Sequence, residues 1–407
     1  MIRLGFIGAG GYGRVQIDGF LALQAQGLVK IVALADPTPG VLKALGELPG
    51  LKTARSFLDY RDLLALEELD AVVISAPIPL HEEMTLAALA QDLFVLLEKP
   101  PVPLLSQLDR LIAADTNNRV MVGFQYIYSD LIRKLKQELV AGRIGKIDSI
   151  SAQGLWPRHT AYYERSSWAG QMVWQEKAVL DGPCTNGFSH FVNLVLYLAS
   201  GKEDAFAMPV QVMGEAYRAR PDLQTYDTGC LTGSLENDVR FFVGFSHTSH
   251  RNYPVEVQIQ GVEGKLSLLE DCQALQAEDG QVIRGDDGRE NLRRAFLSFA
   301  GGDSSQNKTS LGATRSYVLA TNLMLSSSGG VHQIPAKYVR SLHEGTTEAI
   351  FVVEDLADYL AQGARQIVPL GQTSAPWAQT HRSVVASDFS EADLLLALRL
   401  FDPVNVT

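Results

Sequence analysis

Cysteine is scarce in these 407 residues: Cys184, Cys230 and Cys272 stand far apart, with no Cys-x-x-Cys pair. Such a set excludes a disulfide framework and a zinc site and reads as reduced, mostly buried thiols, so no metal is expected. Long apolar runs are missing too, and none approaches the roughly twenty residues of a membrane span. The first strand begins at Ile2, leaving no room for a signal peptide ahead of it, so the expectation is a cytoplasmic chain with no membrane partner. Positive charge is in deficit: 35 Lys and Arg face 46 Asp and Glu, a formal charge of −11 that argues against a nucleic-acid partner. Internal repeats and low-complexity tracts are absent. What remains is a long chain, 46% hydrophobic, able to bury large cores in two or three domains.

The first stretch organises the rest. Ile2 to Ile7 is an apolar run of strand length that ends in Gly-x-Gly-x-x-Gly at Gly8, Gly10 and Gly13, and a helical pattern follows at once. Each glycine has its own physical reason. Gly8 turns sharply, Gly10 lets backbone approach a diphosphate, and Gly13 lets the helix pack tightly on the strand. The helix start, with Gly11 and Tyr12, offers unpaired N–H groups to phosphate. A second apolar run, Val29 to Ala35, ends in Asp36, where an acidic side chain would accept the adenosine ribose hydroxyls. A 2′-phosphate would there meet a negative charge, so NAD is expected over NADP. The alternative is that Asp36 merely opens the turn Asp36-Pro37-Thr38-Pro39-Gly40.

Further along, Asp70 to Pro77 and Leu93 to Leu97 are continuously apolar, as buried parallel strands are. The first ends in a proline-rich turn before His81 and a helix to Gln91, the second in Glu98-Lys99-Pro100-Pro101. Ligands sit outside the strand carboxyl ends of doubly wound sheets, which puts Glu98 and Lys99 beside the nicotinamide. A helix from Leu104 to Ala114 and a strand from Arg119 to Phe124 complete a six-stranded domain. After a helix from Leu131 to Val140 the pattern turns to alternating strands: Ile147–Gln153, Gln211–Ala216, Thr228–Leu235, Val239–His247, Val255–Gly261 and Lys265–Leu269. These predict antiparallel pairing with one face solvated or covered by another subunit. A helix from Asn186 to Leu198 interrupts the set. Asp286 to Ser310 reads as a mobile loop around a short helix, Glu290 to Phe299. Gly371 to Pro376 reads as a linker, and Ser390 to Asp393 as a capping box before a helix from Leu394 to Phe401. The expected domains are 1–124, 125–370 and 371–407.

Taken in order, the Gly8/Gly10/Gly13 turn, Ser75-Ala76-Pro77 with His81, Glu98-Lys99-Pro100, Gly123-Phe124-Gln125-Tyr126, Gly142-x-x-Gly145 and Asn186-x-x-x-His190 resemble the glucose-fructose oxidoreductase / inositol dehydrogenase / MocA family, over about residues 1 to 350. The resemblance implies an α/β protein: an N-terminal Rossmann domain with a doubly wound parallel sheet, and a C-terminal α/β domain on a large, mainly antiparallel sheet. It further implies bound NAD(P), contacts to it from Ala76, Pro77, His81, Glu98, Lys99 and Gln125, and homodimers or homotetramers packed through the large sheets. By the same resemblance Lys99, Asn186 and His190 meet the substrate carbon. The chemistry suits a carbinol oxidation, in which His190 serves as base and Lys99 as the cation stabilising an alkoxide.

Three positions depart from the family pattern: Asn186 where aspartate is usual, Ile127 where an arginine often stands, and Ile78 where asparagine often stands. Asparagine orients a hydroxyl but cannot accept a proton, which shifts acid-base work to His190 and Lys99. Three of the four tryptophans lie in the segment Trp156 to Trp174, and there Trp156, Arg158 and Tyr163 are candidate contacts for a sugar or polyol. The expected function is an NAD-dependent oxidoreductase acting on a sugar, polyol or related hydroxy compound. The alternatives are a glycosidase that oxidises its substrate transiently, and a non-catalytic NAD-binding sensor.

Overall fold

Continuously apolar strands need cover on both faces, and here they line up in one parallel sheet: β1 (Ile2–Ile7), β2 (Val29–Ala35), β3 (Arg55–Phe57), β4 (Ala71–Ile74), β5 (Phe94–Leu97) and β6 (Val120–Val122). This is seen in a computed structural model that describes residues 1–66 and 68–398. The strand order is β3-β2-β1-β4-β5-β6, every neighbour parallel. The order reverses between β1 and β4, the place where dinucleotide folds hold their ligand.

The compact units do not follow the linear division expected above. One comprises Met1–Val102, Ser106–Ser129 and Gly288–Arg315; the other comprises Pro103–Leu105, Asp130–Asp287 and the residues from Ser316 on. Of the segment 286–310, expected as a mobile loop, the residues from Gly288 on are instead anchored in the first unit. Its helix, Arg289–Ala300, buries Leu292, Phe296 and Phe299. Phe296 meets Phe20 edge-on at 6.4 Å, and Phe299 meets Phe94 at 5.0 Å. Beyond the helix, Thr309 accepts the Val122 N–H at 2.9 Å, covering the outer edge of β6.

The second unit carries β7 (Ile147–Leu155), a small hairpin of β8 (Val173–Trp174) and β9 (Lys177–Ala178), and then β10 (Pro209–Arg218), β11 (Thr228–Leu235), β12 (Arg240–Ser246), β13 (Tyr253–Gly261), β14 (Lys265–Leu269), β15 (Ala274–Ala277) and β16 (Val282–Arg284). After these come β17 (His332–Gln333), the pair β18 (Val339–Leu342) and β19 (Ile350–Val353), and β20 (Val384–Val385). Ten strands form one sheet in the order β16-β15-β14-β13-β7-β12-β11-β10-β17, with β20 also on β10. All pairs are antiparallel except β7 with β12 and β10 with β17.

Both faces of its centre are covered by the chain itself. Phe245 stacks on Phe188, at 4.5 Å, beneath the helix Ser189–Ala199. On the opposite face Phe242 joins Leu360, Val353, Ala375 and Trp377 in one buried cluster. The face expected to be solvated or subunit-covered is thus filled at its centre by residues 334–377. The stretch Gly371–Pro376 is no free linker either: the N–H groups of Leu370 and Gly371 donate to the buried carboxylate of Glu215 at 2.6 and 2.8 Å. Ser390 caps the helix Glu391–Ala397 as expected, accepting from Asp393 N at 3.2 Å. The expected continuation of that helix to Phe401 lies outside the described residues. Among the described residues no helix is long and apolar enough to cross a membrane.

Candidate functional site

The glycine turn follows β1 directly. Gly8 has φ +81°, and a Cβ there would sit 2.5 Å from the Ser75 carbonyl; at Gly13 it would sit 1.9 Å from the Gly8 carbonyl. Both positions therefore require glycine for the chain's own packing. At Gly10 the nearest atom to a Cβ would be an ordinary 3.5 Å away, so that glycine leaves space to something outside the chain. The helix Tyr12–Ala25 begins here, with Gly11 and Tyr12 exposed. An adenine dinucleotide's diphosphate fits this cradle.

Asp36, at the end of β2, does open the turn that follows it, and it also reaches the glycine turn. Its Oδ1 accepts from Thr38 N at 2.9 Å, opening the turn, and its Oδ2 accepts from Ala9 N and Gly10 N at 3.0 Å each. The carboxylate thus fastens the glycine turn to β2, and an ionised carboxylate has about four acceptor positions, enough to add a ribose hydroxyl.

At the ends of β4 and β5, His81 joins two loops. Its Nε2 lies 3.0 Å from the Ala76 carbonyl, next to Pro77, and its Nδ1 lies 2.9 Å from the Pro100 carbonyl. Burial pushes the His81 pKa below its ordinary value, which keeps the ring neutral and donating through one nitrogen. Glu98 is also buried, and desolvation pushes its carboxyl upward, opposed by hydrogen bonding from Gln16 and by the charges of Lys99 and Arg293. Gln16 bridges the two: its Nε2 donates to Glu98, and its Oε1 accepts from Arg293 Nε at 2.9 Å. Lys99 follows, half-buried, its peptide bond to Pro100 cis. Gln125 is buried in the turn after β6. Every cofactor-side residue expected from the sequence thus stands at the carboxyl end of one parallel sheet. Gln16 and Arg293 were missed; Arg293 is 277 residues from its partner, and no local pattern marks it.

The other candidates belong to the second unit. Asn186 and His190 do not share one helix as expected: Pro183–Gly187 forms a wide turn, with Phe188 N donating to Pro183 O at 2.8 Å, and the helix starts at Ser189. Asn186 Nδ2 donates to Asp181 Oδ1 at 2.7 Å, while Asp181 Oδ2 accepts from Gly170 N at 2.7 Å. Trp156 is half-buried, with Phe188 stacked on it at 4.3 Å and the Arg158 guanidinium 5.8 Å from its centre. Arg158 also sits over Tyr162, at 4.5 Å, with Arg165 over the same ring at 3.7 Å. Tyr163 meets Tyr162 edge-on at 5.1 Å and receives Arg220 at 5.0 Å. His247 lies 5.4 Å from Phe188 and 6.0 Å from Tyr162, its Nδ1 3.0 Å from the Trp156 carbonyl. Burial, with the charge of Arg158, lowers its pKa to about 3. Asp181, His247, Arg165 and Arg220 were not singled out in the sequence; the proximity of Asp181 to Asn186 was the one local clue.

Residues 2–126 match GFO_IDH_MocA, described as an oxidoreductase family with an NAD-binding Rossmann fold, and residues 132–267 match the GFO/IDH/MocA C-terminal domain. The inositol 2-dehydrogenase of Klebsiella pneumoniae is 32% identical over 147 residues, 35% of this chain and 43% of that protein. The match therefore spans less than half the length of that curated relative. Two solved structures share the fold. The WlbA dehydrogenase from Bordetella pertussis, in complex with NADH and UDP-GlcNAcA, has a TM-score of 0.68 at 20% identity, covering 80% of this chain and 96% of that one. The myo-inositol 2-dehydrogenase from Lactobacillus plantarum has a TM-score of 0.64 at 22% identity, covering 80% and 97%.

Proposed function

We propose, since the chain belongs to the Gfo/Idh/MocA oxidoreductase family, that it is an NAD-dependent dehydrogenase of a sugar, polyol or related hydroxy compound. The observation that carries this reading is the gathering of the glycine turn, Asp36, Ala76, Pro77, Glu98 and Lys99 at the carboxyl ends of strands flanking the switch point. The inositol 2-dehydrogenases among its relatives support the substrate class. Bound NAD supplies the electron acceptor for the carbinol carbon. Glu98, held by Gln16, fixes the base of the loop that carries Lys99, whose ammonium stabilises the developing alkoxide. His190 takes the hydroxyl proton. Asn186, its Nδ2 donating to Asp181, orients the substrate hydroxyl without taking its proton.

The same reading makes the protein cytoplasmic and a homodimer or homotetramer. The outer strands β13–β16 are the fitting contact, since Val262, Val282 and Ile283 are exposed there. Incubation with NAD and a panel of polyols and sugars, followed at the NADH absorbance, tests the activity. Net NADH formation from a member of the panel is expected. Release of an aglycone without NADH would point to transient oxidation instead, and NAD binding without any turnover would point to a sensor.

A further inference from the structure

Three guanidinium groups crowd the aromatic segment of the second unit, and two have carboxylate partners. Arg220 pairs with Asp222 at 2.9 Å, and Arg165 lies 3.9 Å from Asp181. Arg158 has none: among the described residues its side chain makes no hydrogen bond or ion pair, and its Nε is shielded from solvent without a partner. It rests on Tyr162 and Trp156, which hold the planar group in place and strip water from its faces. A shielded N–H of this kind is costly unless an acceptor pairs with it, while the half-buried guanidinium keeps its outer nitrogens open to a ligand.

Among the described residues no carboxylate lies within ion-pair distance of it. Asp181 accepts instead from Gly170 N and Asn186 Nδ2, and the buried Asp227 from Ala219 N and Arg220 N. His247 is neutral above about pH 3 and supplies no negative charge. Two further polar atoms of the same segment, the hydroxyls of Tyr163 and Ser166, are buried with no partner. Burial holds the Tyr163 hydroxyl protonated, so it too is a donor. Arg158 offers only donors, and both hydroxyls can donate; together they lack an acceptor of negative charge.

We propose that the substrate carries a carboxylate that Arg158 binds, making it a polyhydroxy acid of the aldonic, uronic or aldaric type and not a neutral polyol. This rests on the dehydrogenase reading of the same site. The planar fork of a guanidinium matches a planar carboxylate through two parallel hydrogen bonds.

The test is thermal stabilisation of the full-length protein with NAD present, a readout that needs no turnover. The probes are gluconate, glucuronate and galactarate against sorbitol, glucose and myo-inositol, with glucose 6-phosphate as a second anion. At least one acid is expected to bind about tenfold or more tightly than its neutral counterpart, with Arg158→Gln removing that margin and Arg158→Lys restoring part of it. An unliganded melting temperature for Arg158→Gln equal to the wild type's shows that the loss is not misfolding. Binding by neutral compounds as tight as by acids, preference for the sugar phosphate, no binding by any acid, or full acid binding by Arg158→Gln would each overturn the inference. Acids that bind without being oxidised would uphold it and count against the dehydrogenase reading. Neutral polyols oxidised without regard to Arg158 would do the reverse.

Discussion

Asn186 hands its side-chain amide to the buried carboxylate of Asp181 at 2.7 Å. The negative charge that the family pattern puts at position 186 stands here at position 181, one hydrogen bond back, where the Gly170 N–H also holds it.

Restoring aspartate at 186 should therefore harm the protein. Asn186→Asp replaces a donor with a second carboxylate facing Asp181, and like charges push one carboxyl pKa upward. A loss of about 2–4 kcal/mol at neutral pH is expected. The raised group binds its proton more tightly in the folded state, so the deficit against wild type should shrink as pH falls from 7 to 5. Melting temperatures across that range check it, and a constant deficit would contradict it.

Gly19 and Arg293 give a second prediction, opposite in sign to helix propensity. Glycine to alanine inside a helix ordinarily gains about 1 kcal/mol. A Cβ at Gly19 would, however, lie 2.1 Å from Arg293 Cζ, displacing the guanidinium from Gln16. Gly19→Ala should cost about 1–3 kcal/mol in the wild type and become neutral or favourable in an Arg293→Ala background. Urea denaturation of the four proteins measures the coupling; equal effects in both backgrounds would refute it.

The buried His247 sets a pH dependence. Its folded pKa of about 3 lies below the ordinary 6.5, so the unfolded chain binds a proton in this window that the folded chain does not. Stability is full above about pH 6.5 and falls by up to about 1.4 kcal/mol per pH unit below it. His247→Phe should flatten the melting-temperature profile between pH 6.5 and 4 relative to wild type. An unchanged slope would mean that other groups carry the acid sensitivity.

Asp36 fastens the glycine turn, and the proposed function also gives it the ribose hydroxyls. Asp36→Ala is expected to weaken NAD binding about tenfold or more while weakening NADP binding less, because the repulsion of a 2′-phosphate goes with the carboxylate. Calorimetric titration with both cofactors checks this. An unchanged ratio of the two affinities would leave Asp36 with the turn alone.

Much of this architecture is legible in the sequence because its signals are local. Apolar runs that end in glycine or in Glu98-Lys99 mark parallel strands and their loaded ends, and the alternating runs from Ile147 on mark six of the ten strands of the second sheet, the short β15, β16, β17 and β20 being missed. The exposed, three-residue β3 has no such pattern. The helix at Ser189 reads three residues too early because Pro183–Gly187 continues the helical spacing with a wider turn. The anchoring of residues 288–315 and of Leu370–Gly371 depends on partners such as Gln16 and Glu215, which lie 277 and 155 residues away. Their polar surfaces dominate the composition, so both stretches read as loops. The aromatic character of the segment from Trp156 is legible, but the stacking of Trp156 on Phe188 beside Arg158 is not.

The central claim is that Lys99 acts on the substrate and not on the cofactor's retention. The most direct measurement is Lys99→Met, titrated with NAD and assayed with whichever hydroxy compound the wild type oxidises. NAD affinity within about threefold of wild type and turnover reduced by about 10³ or more are expected. Turnover left unchanged would contradict the account.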